Sequence, residues 1–337
     1  MDIRMAWPAP TDSKSSVKKA GDRIRKGQET SSDIDILNKW RAAHGYIINT
    51  FQANLRTRTR QEHVPVAQRL KRGATIVDKL RQGRALDLST MQDIAGVRMV
   101  FHDVVAMQNF RTRFHETKAK HELVNEKERY DYMLHPKSSG YRGIHDVYKY
   151  KAQTISGAAW NGLQIEIQYR TLVQHAWATA VELSDALTAN RTKFSQGSAD
   201  NTRFFQICSE LLARSHESAN SCLPEQTREA LVKEWHEIED RAHIFRQLKG
   251  LGGQGGTSDL SGFVLLIMKE DNTLEVEKQR SYKNAVMRLI QLEDNYPKWD
   301  IVLVSGDKSD SLKTVFRNYF QNATEFTRMI DEALVQD

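Results

Sequence analysis

Long apolar runs and cysteines are both scarce in this sequence of 337 residues. The longest apolar runs, such as Phe263 to Met268, are far too short to span a bilayer. The amino end has no charged segment followed by an apolar one, so we expect neither a membrane span nor a signal peptide. Two cysteines, Cys208 and Cys222, are too few for a disulfide framework or a four-ligand zinc site, and we therefore expect a reducing, cytoplasmic location.

The overall composition is that of an ordinary globular protein. Hydrophobic residues make up 39% and charged residues 27% of the chain. The length allows one large domain or two modest ones, with a real core. There are 49 basic and 43 acidic residues, a net charge of +6. This excess points weakly to polyanionic partners such as nucleotides or RNA, although a merely basic surface would give the same count.

The amino-terminal part divides into a polar segment and two predicted helices. Residues 1–30 mix Lys, Arg, Ser, Gly and Pro with few apolar residues, so we expect a segment that is mobile or draped over a later surface. From Asp33 onward, apolar residues recur at helical spacing, which predicts a long amphipathic helix over 33–58. A second helix is predicted over roughly 66–82.

The middle of the chain alternates between strand and helix patterns. The predicted strands are 94–101, 121–129, 144–151 and 163–170. The predicted helices are 103–118, 171–190 and 201–218. This order predicts an α/β (α+β) fold in which a mixed β-sheet is flanked by helices.

A glycine-rich stretch at 250–256 is the best linker in the chain, and it follows a predicted helix near 225–248. Beyond it we predict a small α/β unit, with strands at 262–268, 273–278 and 300–304 and helices at 282–294, 308–319 and 323–335. The predicted organisation is a mobile segment (1–30), a central domain (31–220), a helix with the linker (221–256) and a small α/β accessory domain (257–337).

Two predicted strands carry acidic residues that could share a metal ion. In the strand 163–170, Glu166 lies on the polar face, as it would on the solvated face of an antiparallel sheet. Asp93 opens an earlier strand in which Gly96 and Arg98 occupy alternate positions, and a glycine inside a strand often marks close approach by a ligand. Since magnesium prefers one or two carboxylates plus substrate phosphates, Asp93 and Glu166 are candidate ligands for Mg²⁺.

Basic residues and a glycine-flanked loop accompany these carboxylates. The segment from Arg69 to Lys79 could grip phosphates, although a solvated helix face would look the same, and it lacks the spacing of a P-loop. In the stretch 136–145, glycines flank Tyr141 and Arg142, which suggests a loop on which a base could stack. A structural tyrosine at a turn is the alternative interpretation.

Taken together and in this order, the segments resemble the synthetase domain of the RelA/SpoT family of alarmone synthetases. The resemblance covers roughly residues 65–185, and the helix at 33–58 matches the one that precedes them in this family. Each motif alone is weak, but five in the right order and spacing are specific. They are Arg69-x-Lys71 with Thr75 and Lys79, Asp93-Ile-Ala-Gly-Val-Arg98, Ser139-Gly-Tyr-Arg-Gly-Ile-His145, Glu166-Ile-Gln-Tyr-Arg-Thr171 and Gln174-His-Ala-Trp-Ala178.

The resemblance implies a nucleotidyltransferase-like domain that moves the β,γ-diphosphate of ATP to the 3′-oxygen of GDP or GTP, giving (p)ppGpp. It implies that Arg69, Asp93 and Glu166 are catalytic, that both carboxylates bind Mg²⁺, and that Glu166 assists deprotonation of the attacking hydroxyl. The implied ATP-binding residues are Arg69, Lys71, Thr75, Lys79 and Arg98. The implied acceptor-binding residues are Lys137, Tyr141, Arg142, His145, Gln168 and His175.

The sequence also departs from the family pattern. His44 is the only histidine before residue 60, so the His-Asp pair of the family's hydrolase domain is missing and alarmone hydrolysis is not expected. The loop reads Tyr-Arg-Gly where many relatives have Tyr-Arg-Ser or Tyr-Gln-Ser. The region after residue 256 has no counterpart in the minimal small synthetases. Regulating the enzyme, neutralising it and forming a homo-oligomer interface all stay open for that region.

Alternative functions share the same ATP and metal chemistry. One is a toxin of the same fold that pyrophosphorylates the 3′ end of tRNA, for which Lys18, Lys19, Arg56, Arg58 and Arg60 could form a basic track. Solvated termini explain those residues equally well. An adenosine nucleotide is another candidate acceptor, and a non-catalytic nucleotide-sensing module is the alternative outside enzymes. Synthesis of guanosine alarmones ranks first.

Overall fold

The structure, a computed structural model, describes residues 7–117, 121–189, 196–251, 262–269, 274–297, 299–306 and 313–335. The helices are α1 (Lys14–Arg25), α2 (Ser31–Thr59), α3 (Gly73–Arg81), α4 (Val104–Glu116), α5 (Leu172–Ala189), α6 (Gln196–Glu217), α7 (Arg228–Ala242), α8 (Ile244–Leu251), α9 (Tyr282–Asn295) and α10 (Lys313–Val335). The strands are β1 (Val66–Leu70), β2 (Ala95–Phe101), β3 (Glu122–Leu123), β4 (Ile144–Lys149), β5 (Gln164–Thr171), β6 (Gly262–Met268), β7 (Leu274–Gln279) and β8 (Asp300–Gly306). Across these ranges, every helix is too short or too polar to cross a membrane.

Five strands form a mixed sheet in the order β1-β2-β5-β4-β3. Its central pair, β2 and β5, is parallel, whereas the pairs β1–β2, β5–β4 and β4–β3 are antiparallel. The predicted fold class, a mixed sheet flanked by helices, is therefore confirmed.

The two faces of this sheet differ in polarity because side chains alternate along each strand. On one face, residues such as Val97, Ile165 and Ile167 are fully buried and belong to a hydrophobic cluster that α2 and α4 complete. On the other face, β2 presents Gly96 and Arg98 and β5 presents Glu166, all of them partly exposed. The candidate site residues of β2 and β5 thus lie on the second face.

The amino-terminal segment, for which a mobile character was predicted, contains the ordered helix α1. Its apolar residues Val17, Ala20 and Ile24 are fully buried against the rest of the protein. Arg23, in its last turn, donates from Nε to Asp33 Oδ2 at 2.8 Å, and Asp33 also accepts from the Thr30 amide at the start of α2. The other expectation for this segment, that it lies over a later surface, describes residues 14–25 correctly.

The prediction of a second helix over 66–82 is wrong for its first third. Residues 66–70 form strand β1, in which Val66, Gln68 and Leu70 are buried and the residues between them are exposed. The sequence was ambiguous because apolar residues four positions apart share a face both on a helix and on a strand. Only the part from Gly73 to Arg81 is helical.

Smaller differences affect three other predicted elements. The strand predicted at 121–129 is only two residues long. The helix predicted near 225–248 is two helices, because His243 adopts a left-handed conformation with φ 53° between α7 and α8. The two helices predicted at the carboxyl end are one, α10, from residue 313 onward. The predicted linker lies mostly outside the described residues.

The carboxyl-terminal region contributes to both hydrophobic clusters of the protein. Strands β6, β7 and β8 form a second, antiparallel sheet, and α9 packs both on it and on α2. Buried residues of this part, such as Leu289 and Ile301, belong to the same cluster as the five-stranded sheet. Helix α10 instead packs with α5, α6 and α8. The domain boundary near residue 250 stays a prediction.

Substituting Gly21 tests whether α1 is docked as described. A Cβ atom at this position would lie 2.6 Å from Leu88 Cβ, which is too close for helix α1 and the segment around Leu88 to keep their positions. We expect Gly21→Ala to lower the free energy of unfolding by about 1–3 kcal/mol, the usual cost of overpacking, in a denaturant titration. Lys19→Ala, on the exposed face of the same helix, is the control. An unchanged stability in Gly21→Ala would show that α1 is not packed there.

Candidate active site

The site is built on the parallel pairing of β2 and β5. In this register, Gly96 lies beside Glu166 and Arg98 beside Gln168. On the outer side of β2, Arg69 of β1 lies opposite Gly96. Because paired residues of neighbouring strands share a face of the sheet, these five positions form one surface.

Gly96 leaves open space on this surface. A Cβ atom at this position would be 3.7 Å from the Arg69 carbonyl oxygen and 3.9 Å from that of Glu166, which are ordinary contact distances. The protein's own packing therefore does not require a glycine here. The missing side chain instead makes room above the strand, as expected where a ligand approaches the backbone.

Asp93, immediately before β2, accepts hydrogen bonds from two lysines. Lys71 Nζ and Lys79 Nζ each lie 2.9 Å from Asp93 Oδ2. Burial alone would raise the pKa of Asp93, but the charges and hydrogen bonds of the two lysines outweigh it and lower that pKa. Burial also lowers the pKa of Lys71, although the charge and hydrogen bond of Asp93 oppose this shift. The sheet thus holds an ionised carboxylate between two cations.

The donor set fits a divalent cation only in part. Asp93 Oδ1 is buried and receives no hydrogen bond within the described residues, so it can offer one oxygen ligand. Both oxygens of Glu166 already accept hydrogen bonds, and one of them would have to be released for a metal ion. No group of three or more acidic, histidine or cysteine ligands occurs in the described part of the chain. A Mg²⁺ ion here would therefore depend on ligand phosphates for much of its coordination.

Glu166 begins a chain of hydrogen-bonded side chains. Its Oε2 accepts from Gln168 Nε2 at 2.6 Å, and its Oε1 lies 2.8 Å from His145 Nδ1. The other ring nitrogen of His145 lies 2.6 Å from the Tyr141 hydroxyl, to which Arg170 also donates from Nε at 3.3 Å. The chain links the centre of the sheet to the loop before β4.

Charges along this chain shift its pKa values in opposite directions. Burial would raise the pKa of Glu166, but the charge and hydrogen bond of His145 prevail and lower it to about 2. Burial would lower the pKa of His145, but Glu166 and Tyr141 raise it. Burial would raise the pKa of Tyr141, but Arg170 and His145 lower it to about 8. Near neutral pH, Glu166 is therefore a carboxylate, and its charge favours the protonated form of His145 beside it.

The Tyr141 ring borders a cavity of about 320 Å³ between its loop and helices α5 and α6. The cavity is lined by Tyr141, Arg170, Trp177, Glu182, Asp185 and Phe205, among others. Lys137 Nζ lies 5.0 Å from the centre of the Tyr141 ring and 4.3 Å from that of Tyr132. Cations and aromatic rings in this arrangement suit a planar, phosphorylated ligand.

Arg142 points away from this surface, although the resemblance implied a role in acceptor binding. Its side chain is only 3% exposed and forms an ion pair with Glu217 at the end of α6. Glu217 also accepts from Thr171 Oγ1 at 2.5 Å and from Gln174 Nε2 at 3.0 Å. Arg142 thus ties the loop to α6, a contact that the sequence pattern around Tyr141 did not reveal.

The remaining candidate residues belong to β1, α3 and α5. Arg69 is exposed on β1, and Thr75 is half-buried in the first turn of α3. Burial and the charges of Arg98 and Arg170 lower the pKa of His175 well below its usual value, so this imidazole is neutral. The two arginine charges act on this ring because both arginines lie near it.

Sequence reasoning did not single out Arg170, Trp177 and Tyr132 as functional residues. Arg170 follows Glu166 and Gln168 on the same face of β5, and that alternation was the signal available for it. Trp177 and Tyr132 reach the site from α5 and from a loop. Their contribution depends on how distant segments pack, which no local pattern encodes.

A comparison with protein families identifies this region. A family described as a region found in RelA/SpoT proteins matches residues 68–184, which include all the candidate residues. GTP pyrophosphokinase YjbM of Bacillus subtilis is 36% identical over 123 residues, or 35% of this chain and 56% of that protein. The uncharacterized protein Rv1366 of Mycobacterium tuberculosis is 29% identical over 175 residues, or 52% of this chain and 59% of that protein. The chain thus matches a little over half the length of these curated relatives.

Solved structures of similar proteins overlap this one in part. The small alarmone synthetase 1 from Bacillus subtilis bound to its product pppGpp is 28% identical, with a TM-score of 0.42 over 51% of this chain and 88% of that chain. A GTP pyrophosphokinase family protein from Streptococcus pneumoniae is 24% identical, with a TM-score of 0.41 over 51% of this chain and 86% of that chain. The match to the family model by itself confirms the predicted resemblance: residues 68–184 match the region found in RelA/SpoT proteins.

The low pKa of Tyr141 can be measured directly. We expect one of the ten tyrosines to ionise near pH 8 in a spectrophotometric titration of the phenol absorbance. Tyr141→Phe should remove this transition, and Arg170→Gln should move it to higher pH because the arginine charge favours the phenolate. Tyr132→Phe should leave it in place, since burial raises the pKa of Tyr132. A Tyr141→Phe variant that still shows the transition would contradict the assignment.

Proposed function

We propose that this protein is an ATP:nucleotide 3′-pyrophosphokinase that transfers the β,γ-diphosphate of ATP to the 3′-hydroxyl of GDP or GTP. The observation that carries the proposal is the arrangement on one face of the sheet within the RelA/SpoT region. There, Asp93 lies between Lys71 and Lys79, and Glu166 leads through His145 to Tyr141. The Asp93–lysine cluster and the series from Glu166 to Tyr141 are two differently charged parts of one surface, which suits a reaction between two nucleotides.

The side of the site around Asp93 is suited to the ATP phosphates. Lys71 and Lys79 supply two ammonium groups, and Arg69 and Arg98 lie next to them on β1 and β2. Arginine can bind phosphate oxygens through two parallel hydrogen bonds, while lysine acts as a point charge. Mg²⁺, when bound between Asp93 and the phosphates, would neutralise charge that develops on the transferred group.

The side around Tyr141 is suited to the acceptor nucleotide. The cavity next to this ring can hold a base. Lys137 lies over the Tyr141 ring and His175 lies near Arg170, where they could contact the phosphates or the ribose. Cavities of this size, lined by aromatic groups with a few polar ones, are typical of small-molecule sites. The 3′-hydroxyl oxygen would then attack the β-phosphorus of ATP, and its proton would pass to Glu166 as the new bond forms. The bond from that phosphorus to the α-phosphate oxygen would break to release AMP.

Glu166 is suited mainly to orient the attacking hydroxyl. With a pKa of about 2 it is a weak base, so it removes a proton poorly before the transition state is reached. It can nevertheless accept a hydrogen bond from the 3′-hydroxyl, and His145 and Gln168 fix the direction of its oxygens. Holding two reactants in line is itself a large part of catalysis in phosphoryl transfer.

Removal of the Glu166 charge tests this assignment. Purified protein with Mg²⁺ and γ-labelled ATP would be offered GDP, GTP, AMP, ATP or deacylated tRNA, and labelled product would be separated. We expect label on GDP or GTP and a loss of at least about a hundredfold in Glu166→Gln, as for other groups that act at the reacting centre. Glu122→Gln, on edge strand β3 of the same sheet, is the matched control. Label that appears only on tRNA, or full activity in Glu166→Gln, would refute the proposal.

Gly96→Ala separates ligand binding from stability. The added methyl group meets protein atoms only at ordinary contact distances, so we expect the free energy of unfolding to change by less than about 0.5 kcal/mol. The same methyl group fills space above the strand beside Glu166, so the KM for at least one nucleotide should rise about tenfold. Denaturant titration and steady-state kinetics on the same preparation give both values. A variant with normal kinetics would show that no ligand approaches Gly96.

A further inference from the structure

The carboxyl-terminal region reaches the ATP side of the proposed site through one side chain. Glu293 lies in the last turn of α9, and its Oε2 accepts a hydrogen bond from the Gly73 amide at 3.3 Å. Gly73 is the first residue of α3, which carries Lys79. A carboxylate at the start of a helix is stabilising because it interacts with unpaired amide groups and with the helix dipole.

Arg41 of α2 connects the same carboxylate to Lys71. Its side chain is fully buried, and its Nη2 atom lies 2.8 Å from Glu293 Oε2. Its Nε donates to the Lys71 carbonyl oxygen at 2.9 Å. Lys71 in turn donates from its side chain to Asp93. A continuous series of contacts therefore runs from α9 through Arg41 to the backbone that carries Lys71.

The segment between β1 and α3 has little freedom to move away from these contacts. A Cβ atom on Gly73 would lie 3.3 Å from Arg41 Nη1 and 3.7 Å from Glu293 Oε2, so the backbone passes close to both groups. Arg41 is also buried, and an arginine left there without its carboxylate would be costly. The three groups therefore fix one another's positions.

We propose that Glu293 and Arg41 are positioning residues for ATP, and that the carboxyl-terminal region is a working part of the ATP-binding side. They hold the backbone from Lys71 to Gly73, and so place the Lys71 ammonium beside Asp93 and orient the start of α3. This inference rests on the proposed function for the identity of the nucleotide. It adds a role for a region whose purpose the sequence left open.

The test compares two glutamates of the carboxyl-terminal region. Glu293→Gln removes the charge that Arg41 and α3 share, whereas Glu277→Gln breaks an ion pair with Arg288 that does not contact the site. Binding of a non-hydrolysable ATP analogue with Mg²⁺ would be measured by calorimetry, and KM for each nucleotide by steady-state kinetics. We expect Glu293→Gln to weaken ATP binding about tenfold with little change in the KM of the acceptor. Glu277→Gln should match the wild type.

Two further variants make the test independent of folding defects and of the catalysed reaction. Arg41→Lys keeps the buried charge, but one ammonium cannot maintain the geometry of both arginine contacts, so ATP binding should also weaken. In a Lys71→Ala background, Glu293→Gln should have no further effect if it acts through Lys71. Unchanged or tighter ATP binding in Glu293→Gln, or an equal loss for both nucleotides, would overturn the inference. A wild-type protein that binds the ATP analogue but forms no product would instead refute only the proposed function.

Discussion

The parallel hydrogen bonding between β2 and β5 is the contact on which the rest of the site depends. It joins segments some seventy positions apart in the chain and places Gly96 beside Glu166. Each of these strands then brings an antiparallel neighbour, so that β1 carries one set of polar side chains and β4 the other. A slip of one residue between β2 and β5 would turn Glu166 towards the core, because side chains alternate between the two faces. The hydrophobic cluster on the opposite face opposes such a slip.

Both carboxylates of this surface are already paired with basic side chains of the protein. Asp93 is paired with two lysines and Glu166 with His145, so neither is a bare buried charge, which would be costly in this partly desolvated setting. Anionic ligands that enter must compete with these internal pairs. In the proposed reaction, phosphates would take over the lysines from Asp93 and leave its oxygens for a cation. The same groups thus neutralise one another within the protein and supply charges that suit an anionic ligand.

How far the sequence could predict this arrangement depends on the range of each contact. The alternation along β5, the glycine in β2 and the order of the motifs are local features, and they led to the correct sheet, in which Gly96 is paired with Glu166. The direction of Arg142 is set by Glu217, which lies 75 positions away, and the strand β1 is set by its pairing with β2. Neither the Arg142 contact nor the β1–β2 pairing is indicated by the residues next to it in the sequence. The roles of the individual site residues stay predictions.

The contact between Gly73 and Glu293 also bears on how the protein is made. The two residues are 220 positions apart, so the first is synthesised long before its partner. At elongation rates of about 5–20 residues per second, that delay is roughly 10–45 s. During this time, the face of α2 that packs on α9 has no cover, and the segment after β1 lacks the carboxylate that holds it. A nascent chain therefore cannot complete the contacts around Gly73 until Glu293 has left the ribosome, and products that terminate before Glu293 are left without them.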